Sequence, residues 1–295
     1  MRVALTGAGG FTGRFVATAL TAAGATCVPL HADLTDRDAV ARAVEERPFD
    51  RLIHLAAKAF VGAGDWQGFY AVNQIGTFHL LDAVARFRPG TRCILASSAQ
   101  VYGPGAEGLI AESALTNPTN HYALSKRTME QGATLWNHVL DLVITRPFNY
   151  TGVGQNSAYL IPKIVDHFCR RADIIELGNL GVKRDFGDVR AVADAYARLA
   201  LADKVPSLVN ICTGTVRSID DILEVLSELA GYMPKIAVNP AFVRANDVPV
   251  LGGDVTTLQA ALPDWQPRDL ADTLMWMYDS KAAVDTDRLA HVRKS

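Results

Sequence analysis

The amino-acid sequence predicts an α/β protein with a doubly wound parallel sheet, the Rossmann arrangement, and a smaller, discontinuous α/β lobe. Apolar segments of strand length alternate with amphipathic helical segments through the first half. A glycine-rich turn follows the first strand directly, and after Arg146 prolines, glycines and amides interrupt the regular alternation. Repeated strand–helix–strand units imply parallel strands with right-handed crossovers. Functional residues are therefore expected at the carboxyl ends of the strands.

The individual elements follow from hydrophobic periodicity and segment length. The predicted strands are Val3–Leu5, Thr26–Leu30, Leu52–Leu55, Cys93–Ala96 and Leu142–Thr145, with Leu208–Cys212 returning to the sheet later. The predicted helices are Phe11–Ala23, Asp36–Glu46, Trp66–Phe87 and Tyr122–Val139. Thr35 and Asp38 have the spacing of a capping pair for the second of these helices. The resulting division places residues 1–155 and 185–214 in the main domain and residues 156–184 and 215–279 in the smaller lobe. Residues 280–295 are predicted to be a poorly ordered or loosely helical polar tail.

Composition excludes several classes of protein. Of 295 residues, 49% are hydrophobic and 20% are charged, which is typical of a packed globular chain and not of a disordered one. A net charge of −2 offers no basic surface for nucleic acid. The four cysteines have no disulfide or metal-site spacing, so we expect reduced thiols and no metal. No apolar run approaches the roughly 20 residues of a membrane helix, and a strand beginning at Arg2 predicts a cytoplasmic protein without a signal peptide.

The turn after the first strand carries glycines at intervals of three, Gly7, Gly10 and Gly13. Glycines allow a tight turn and close approach of the backbone to a pyrophosphate, and they let the next helix pack on the sheet. The amino terminus of that helix offers free amides and a positive dipole to phosphates. Because a strand precedes the turn and a helix follows it, the sequence predicts a dinucleotide site.

Tyr122 and Lys126 are four residues apart on a predicted helix, so both side chains lie on one face. An adjacent ammonium group would lower the pKa of the phenol toward neutrality. A phenol tuned in this way can exchange a proton with a carbonyl or carbinol oxygen. Ser98, after the strand Cys93–Ala96, places a hydroxyl at the same edge of the sheet.

These motifs, in this order and spacing, resemble the extended short-chain dehydrogenase/reductase family over nearly the whole chain. The resemblance implies that Ser98, Tyr122 and Lys126 are catalytic, with Ser98 on the reacting oxygen, whereas Ser97 is structural. It also implies that Asn73 braces the central helix. The cofactor-binding residues that it implies are Gly7, Gly10, Phe11, Thr12, Gly13, His31, Asp33, Leu34, Leu55, Ala56, Ala57, Asn73, Tyr122, Lys126 and Phe148.

The end of the second strand bears on the choice of cofactor. A carboxylate there would bind the adenosine ribose and repel a 2′-phosphate, but this position falls on His31. Asp33 and Leu34 resemble the adenine-pocket pair of the family. NADP(H) or NAD(H) is therefore expected, with NADPH favoured and with Arg14, His31 or Arg37 as phosphate contacts. The same residues are equally compatible with ordinary surface positions.

Within the family, the stretch Gly178–Val189 resembles the nucleotide-sugar branch, closest to GDP-mannose dehydratase and GDP-4-keto-6-deoxy-D-mannose reductase. The residues that this implies for a nucleotide-sugar substrate are Ser98, Asn149, Arg184, Arg244 and Asp247. Arg184 and Arg244 would grip the diphosphate, for which guanidinium is suited. Ordinary surface ion pairs are the alternative for both. Leu262–Pro267 resembles a structural motif of the family.

Two departures from the family pattern narrow the chemistry. Dehydratases place a carboxylate pair where this chain has Ala99 and Gln100, and a neutral amide cannot act as general base. Water elimination is therefore not expected. His121 replaces the proline that usually precedes the catalytic tyrosine.

Two reactions and one non-catalytic function remain for this chain. The leading hypothesis is hydride reduction of a 4-keto-6-deoxyhexose carried on a nucleotide, giving GDP-D-rhamnose from GDP-4-keto-6-deoxy-D-mannose. The alternatives are an NAD-dependent 4-epimerase and a non-catalytic dinucleotide sensor. The resemblance also implies a homodimer formed through the helices Trp66–Phe87 and Tyr122–Val139.

Overall fold

The structure is a computed structural model that describes residues 1–59, 65–105, 108–243 and 248–292. Strands and helices alternate along these ranges. The strands are β1 (Arg2–Thr6), β2 (Thr26–Leu30), β3 (Arg51–His54), β4 (Arg92–Ala96), β5 (Leu109–Ile110), β6 (Asp141–Pro147), β7 (Asn149–Thr151), β8 (Ile174–Leu177), β9 (Lys183–Asp188), β10 (Leu208–Ile211), β11 (Val216–Ser218), β12 (Lys235–Val238) and β13 (Val250–Gly253). The α-helices are α1 (Phe11–Ala22), α2 (Arg37–Glu46), α3 (Trp66–Phe69), α4 (Thr77–Phe87), α5 (His121–Ala133), α6 (Leu160–Cys169), α7 (Val189–Leu201), α8 (Ile219–Ala230), α9 (Thr256–Ala261) and α10 (Leu270–Val292). No helix in the described ranges is long and apolar enough to cross a membrane.

Within the described residues, the central sheet has six parallel strands in the order β10-β6-β4-β3-β1-β2. This sheet confirms the predicted fold class, including the late return of the chain through β10. The strand order reverses at β1, which lies between β2 and β3. Ligands of open α/β sheets bind beside such a reversal, at the carboxyl ends of the strands. The glycine turn, which follows β1, therefore occupies this position.

The central sheet is covered on both faces. Helices α1 and α7 supply buried apolar side chains on one face, and α2, α4 and α5 supply them on the other. A separate apolar cluster joins α6, α8, α10 and β8. The remaining strands form smaller sheets, β11-β9-β13-β5 with β7 beside β9, and β12-β8. These smaller sheets bring β9 and β13 next to the chain that leaves β6.

The first half contains the predicted strands, but several helix boundaries differ from the prediction. The cap of α2 is Asp36, not Thr35, because the Asp36 carboxylate accepts from the amides of Asp38 and Ala39. The Thr35 hydroxyl instead donates to Asp33 at 2.7 Å.

The long helix predicted over Trp66–Phe87 is interrupted by a π-helical segment, Tyr70–Gly76, between α3 and α4. Helix α5 stops at Ala133, short of the predicted Val139, and a 3₁₀ turn over Thr134–Trp136 follows it. Helix α10 continues to Val292, so most of the predicted tail is helical backbone.

A buried ion pair joins α5 to β6. Glu130 accepts from Arg146 through Nε at 2.9 Å and Nη2 at 2.7 Å, and the two side chains are only 2% and 4% exposed. The Ser97 hydroxyl donates to the same carboxylate at 2.5 Å. The carboxylate thus binds α5 to the ends of β4 and β6, which fixes the helix that carries Tyr122.

Removing this carboxylate should destabilise the protein far more than removing an exposed one. Glu130→Ala leaves the Arg146 guanidinium buried without its counter-charge, for which we expect about 3–5 kcal/mol of lost unfolding free energy. The matched control is Asp82→Ala, which breaks an exposed pair with Arg37 and should cost about 0–1 kcal/mol. Urea unfolding of both variants measures the difference, and equal losses would contradict the assigned role of Glu130.

Candidate active site

The backbone of the glycine turn leaves no room for side chains at two of its three positions. Gly7 has a φ of +71°, and a Cβ there would lie 2.9 Å from the Ala56 nitrogen. A Cβ on Gly13 would lie 2.1 Å from the Gly7 carbonyl oxygen. Since α1 begins at Phe11, its free amides lie at the end of the turn. This cradle fits the pyrophosphate of a dinucleotide, as the sequence predicts.

A cavity of about 550 Å³ lies beside the turn, between β2, α2 and the end of β3. It brings together Gly7, Ala56, His31, Asp33 and Leu34, which the sequence predicts as cofactor residues. The full lining is Thr6, Gly7, Leu30, His31, Ala32, Asp33, Leu34, Val40, Ala43, Val44, Ala56 and Leu80. An apolar cleft with a few polar groups at its rim suits an adenosine moiety.

Two of the polar groups near this cavity have local partners. The Asp33 carboxylate accepts from the Thr35 amide at 2.9 Å and from the Thr35 hydroxyl. These bonds lower the pKa of Asp33. Arg37, one of the three predicted phosphate contacts, pairs with Asp82 at 2.7 Å instead. His31 directly follows β2 and is exposed.

Ser98 and Tyr122 meet where β4 ends and α5 begins. Ser98 has an extended backbone, and its hydroxyl accepts from the Gln100 amide at 3.2 Å. Ser98 lies close enough to the Tyr122 phenol to influence its pKa, and both side chains are buried. The first turn of α5 is held by Asn120, whose Oδ1 accepts from the Ala123 amide. A hydroxyl and a phenol are thus placed together at the carboxyl edge of the sheet.

The predicted effect of Lys126 on Tyr122 is wrong for this structure. Burial raises the pKa of Tyr122 above its ordinary value, and the Ser98 hydroxyl beside it only partly opposes this. The Lys126 ammonium donates to the Ala96 carbonyl at 2.7 Å. Burial also lowers the pKa of Lys126 to about 8, although the Glu130 carboxylate opposes the shift. Desolvation dominates because both groups are almost fully enclosed, so Tyr122 is a neutral phenol at neutral pH.

Asn73 lies in the π-helical segment and is fully buried. Its amide donates to the Ser125 hydroxyl at 3.1 Å and to the Lys58 carbonyl at 2.9 Å, and its oxygen accepts from the Lys58 amide at 2.8 Å. These bonds connect the chain after β3 to α5. The bracing role that the family resemblance implies for Asn73 stays a prediction.

The amide that replaces the dehydratase carboxylate has a partner in the structure. Gln100 Oε1 accepts from the Asn120 side chain at 3.2 Å, so the cap of α5 also orients Gln100. His121, the second departure, stacks on Trp66 with ring centroids 5.3 Å apart and shares a hydrogen bond with Tyr70. His121 therefore attaches the start of α5 to α3 and the π-helical segment.

The structure describes most of the other predicted residues. Phe148 is buried between β6 and β7, and Asn149 is exposed on β7. Arg184, on β9, donates through Nη1 to the carbonyls of Lys183 and Pro249. This part of its guanidinium is therefore bonded to the backbone of the sheet that contains β9 and β13. Leu55, Ala56 and Ala57 follow β3 and are partly buried. Arg244 and Asp247 lie outside the described residues.

Sequence reasoning missed Tyr150 and Asn120. The Tyr150 hydroxyl is 2.8 Å from Thr12 Oγ1, and its ring stacks on Phe11 with centroids 6.3 Å apart. Nothing in the local pattern connects Tyr150 to a turn 138 residues earlier. Asn120, in contrast, stands just before a helix, and an N-cap search over α5 would have found it.

The strand order, the glycine turn and the Ser98–Tyr122–Lys126 arrangement define an oxidoreductase of the short-chain type with a Rossmann-like sheet. Residues 3–212 match the model of the NAD dependent epimerase/dehydratase family. The chain belongs to this family. The predicted resemblance and the predicted nicotinamide cofactor are confirmed at this level.

Three similar proteins are informative. GDP-6-deoxy-D-talose 4-dehydrogenase of Aggregatibacter actinomycetemcomitans is 35% identical over 88% of this chain and 90% of its own length. GDP-6-deoxy-D-mannose reductase of Pseudomonas aeruginosa is 31% identical over 90% of this chain and 98% of its own length. The solved structure of RMD from Pseudomonas aeruginosa complexed with NADPH is 27% identical, with a TM-score of 0.87, over 96% of this chain and 99% of that chain.

A methyl group at Gly13 should disrupt cofactor binding, whereas one at Gly9 should not. The Cβ of Gly13→Ala would clash with the Gly7 carbonyl, so α1 must shift away from the turn. Overpacking of about 1–3 kcal/mol in the bound state predicts that the affinity for NADPH or NADH falls by about 5-fold to 150-fold. A Cβ on Gly9 meets nothing within 4 Å. Fluorescence titration with both nucleotides checks the contrast, and equal affinities in the two variants would refute this account of the turn.

Proposed function

We propose that the protein is a reductase of the 4-keto group of a nucleotide-activated 6-deoxyhexose, converting GDP-4-keto-6-deoxy-D-mannose to GDP-D-rhamnose. The observation that carries the proposal is the buried, neutral Tyr122 phenol beside Ser98, with a neutral amide at Gln100. This arrangement can protonate a reacting oxygen but offers no carboxylate at Gln100 for elimination. When bound, the nicotinamide supplies the hydride.

The protonation state of Tyr122 favours reduction. Reduction of a ketone delivers hydride to carbon and a proton to oxygen, so its general acid must begin protonated. Because burial raises the pKa of Tyr122, the phenol keeps its proton at neutral pH. The Ser98 hydroxyl, beside the phenol, would hydrogen-bond the same oxygen.

The position of Gln100 argues against dehydration. Water elimination needs a group that removes a proton from carbon, and an amide has no basic site of sufficient strength. The Asn120 side chain donates to Gln100 Oε1. That bond leaves the amide N–H groups of Gln100 as donors, which can bind a sugar oxygen but cannot accept a proton from carbon.

The nucleotide-sugar substrate is supported by the relatives and by the second sheet. Both curated relatives are named for redox chemistry on GDP-6-deoxyhexoses and are matched over at least 90% of their lengths. We propose that residues 156–184 and 215–279 form the lobe that holds the nucleotide. Arg184 would contact the diphosphate from β9, Asn149 would contact the sugar from β7, and Arg244 and Asp247 would complete the site.

We propose NADPH as the favoured cofactor, with NADH also accepted. His31 occupies the end of β2, where an acid would repel a 2′-phosphate. The structural neighbour RMD, 27% identical, was solved with NADPH.

A second candidate product is GDP-6-deoxy-D-talose, which differs from GDP-D-rhamnose only in configuration at C4. The 35% identity to a dehydrogenase of that sugar favours it. The reaction and the acting residues are the same, and only the face of the ketone that receives hydride differs. Chromatography of the reduced product against both standards distinguishes the two sugars.

Removing the phenol hydroxyl should stop turnover while leaving cofactor binding intact. Tyr122→Phe keeps the ring in place but takes away the proton donor, so kcat with the keto sugar should fall by about 10²–10⁴-fold. NADPH oxidation gives the rate, and nucleotide fluorescence gives the affinity. Unchanged turnover would refute the assigned role of Tyr122. If purified wild type carries stoichiometric NAD and interconverts 4-epimers without added cofactor, the protein is an epimerase instead.

The nucleotide that the protein prefers should also stabilise it most against heat. A ligand that binds only the folded state raises the melting temperature by mass action. We expect GDP to raise the melting temperature of the NADPH complex at a concentration where UDP and dTDP do not. A larger shift with UDP or dTDP would indicate that the substrate carries that nucleotide instead of GDP. The proposed reduction of the keto group would still stand.

A further inference from the structure

His54, the last residue of β3, lies at the centre of a hydrogen-bond chain behind the glycine turn. Its imidazole is 2% exposed. Nδ1 lies 2.7 Å from the Thr6 hydroxyl oxygen, and Nε2 lies 2.9 Å from that of Thr77. Thr6 ends β1, directly before Gly7, and Thr77 begins α4. The ring thus joins the strand that carries the turn to the helix that follows the π-helical segment.

The neighbouring bonds determine which atom donates in each link. The Thr77 hydroxyl donates its proton to the Asn73 carbonyl at 2.7 Å, so its oxygen must accept from His54 Nε2. Nδ1 is then a bare acceptor, and the Thr6 hydroxyl donates to it. Thr6 Oγ1 in turn accepts from the Ala56 amide at 3.2 Å. The neutral Nε2–H tautomer therefore satisfies every link.

The surroundings keep the imidazole neutral. Burial lowers the pKa of His54 to about 3, and the positive charge of Lys126 acts in the same direction. A second ring proton would point at Thr6 Oγ1, which already accepts from Ala56, and would leave the Thr6 proton without its acceptor. The geometry and the electrostatics therefore agree on the protonation state.

Both ends of the chain reach the proposed site. Thr6 directly precedes Gly7, and the Ala56 backbone packs so close to Gly7 that a Cβ there would lie 2.9 Å from the Ala56 nitrogen, so one end of the chain lies against the turn. At the other end, the Asn73 amide donates to Ser125 Oγ at 3.1 Å, and the Ser125 hydroxyl donates to the Tyr122 carbonyl at 2.7 Å. The turn and the catalytic helix are thus connected through buried bonds.

We propose that His54 is a positioning residue that fixes the dinucleotide turn relative to Tyr122. The inference rests on the proposed function, because that function assigns the cofactor to the turn and proton transfer to Tyr122. Thr6 carries the connection on one side, and Thr77 with Asn73 carries it on the other. Breaking a link leaves a buried donor or acceptor unpaired, which frees the turn and α5 to move relative to each other.

The test compares Thr77→Val, which breaks the chain, with Thr77→Ser, which keeps the hydroxyl. Loss of the link should raise the NADPH dissociation constant about tenfold, because the turn is no longer fixed in the geometry that binds the dinucleotide. The kcat with the keto sugar should fall while KM for the sugar stays within about twofold. Thr77→Ser should restore both affinity and kcat.

The matched control is Thr91→Val. Thr91 is also buried and its hydroxyl donates to the Arg88 carbonyl, but it precedes β4, at the end of the sheet opposite the site. This variant should lower the melting temperature and leave NADPH affinity unchanged. If Thr77→Val behaves as Thr91→Val does, His54 serves packing alone and the proposal fails.

A second measurement reads the protonation of His54 in the wild-type protein directly. In wild-type protein with ¹⁵N-labelled histidine, the His54 signal should show one protonated nitrogen, Nε2, between pH 5.5 and 8, values chosen around the ordinary pKa of about 6.5. His54→Gln, which offers one donor and one acceptor, identifies the signal by its disappearance. An Nδ1–H tautomer or an imidazolium would overturn the assigned chain. If wild type binds neither NADPH nor NADH, the proposed function fails instead. If the keto sugar is not turned over by wild type, only the kcat comparison is lost, and the NADPH affinities and the NMR spectra still test the role of His54.

Discussion

A layer of polar side chains, buried between the carboxyl edge of the central sheet and the helices α4 and α5, holds the site together. Thr6, Asn73, Ser125, Lys126 and Glu130 all lie in this layer and are at most 3% exposed. A buried polar group without a partner costs about 1–3 kcal/mol, so the fold is stable only when these groups pair. The pairing rules therefore determine where α5 can lie against the sheet.

This layer also sets the charges around the site. Desolvation favours neutral forms, which is why Tyr122 keeps its proton and the pKa of Lys126 falls to about 8. The Glu130 carboxylate deep in the layer is paired, since it binds Arg146 in two places. The sheet edge thus presents a protonated phenol and a bound hydroxyl, the combination that a reductase needs.

Local signals predicted the framework well. The length and spacing of apolar segments identified β1, β2, β4 and β6 and the helices between them. Burial on one face or on both requires apolar residues at regular positions within a short segment, so the pattern is visible in the sequence. The glycine turn was predictable because the absence of a side chain at Gly7 and Gly13 is itself a steric requirement. The cap of α2 was misplaced by one residue, since Thr35 and Asp36 are both competent caps and the choice depends on Asp33.

The sequence by itself determined the fold class, the turn and the identity of the residues at the sheet edge, because these depend on spacing within short segments. Tertiary structure alone decided the protonation of Tyr122, the partner of Lys126 and the direction of each bond around His54. Those properties depend on atoms far apart in the chain, as with Thr6 and His54, 48 residues apart, and on the loss of water around them. Desolvation depends on the assembled interior, so it cannot be predicted from the residues of any one short segment.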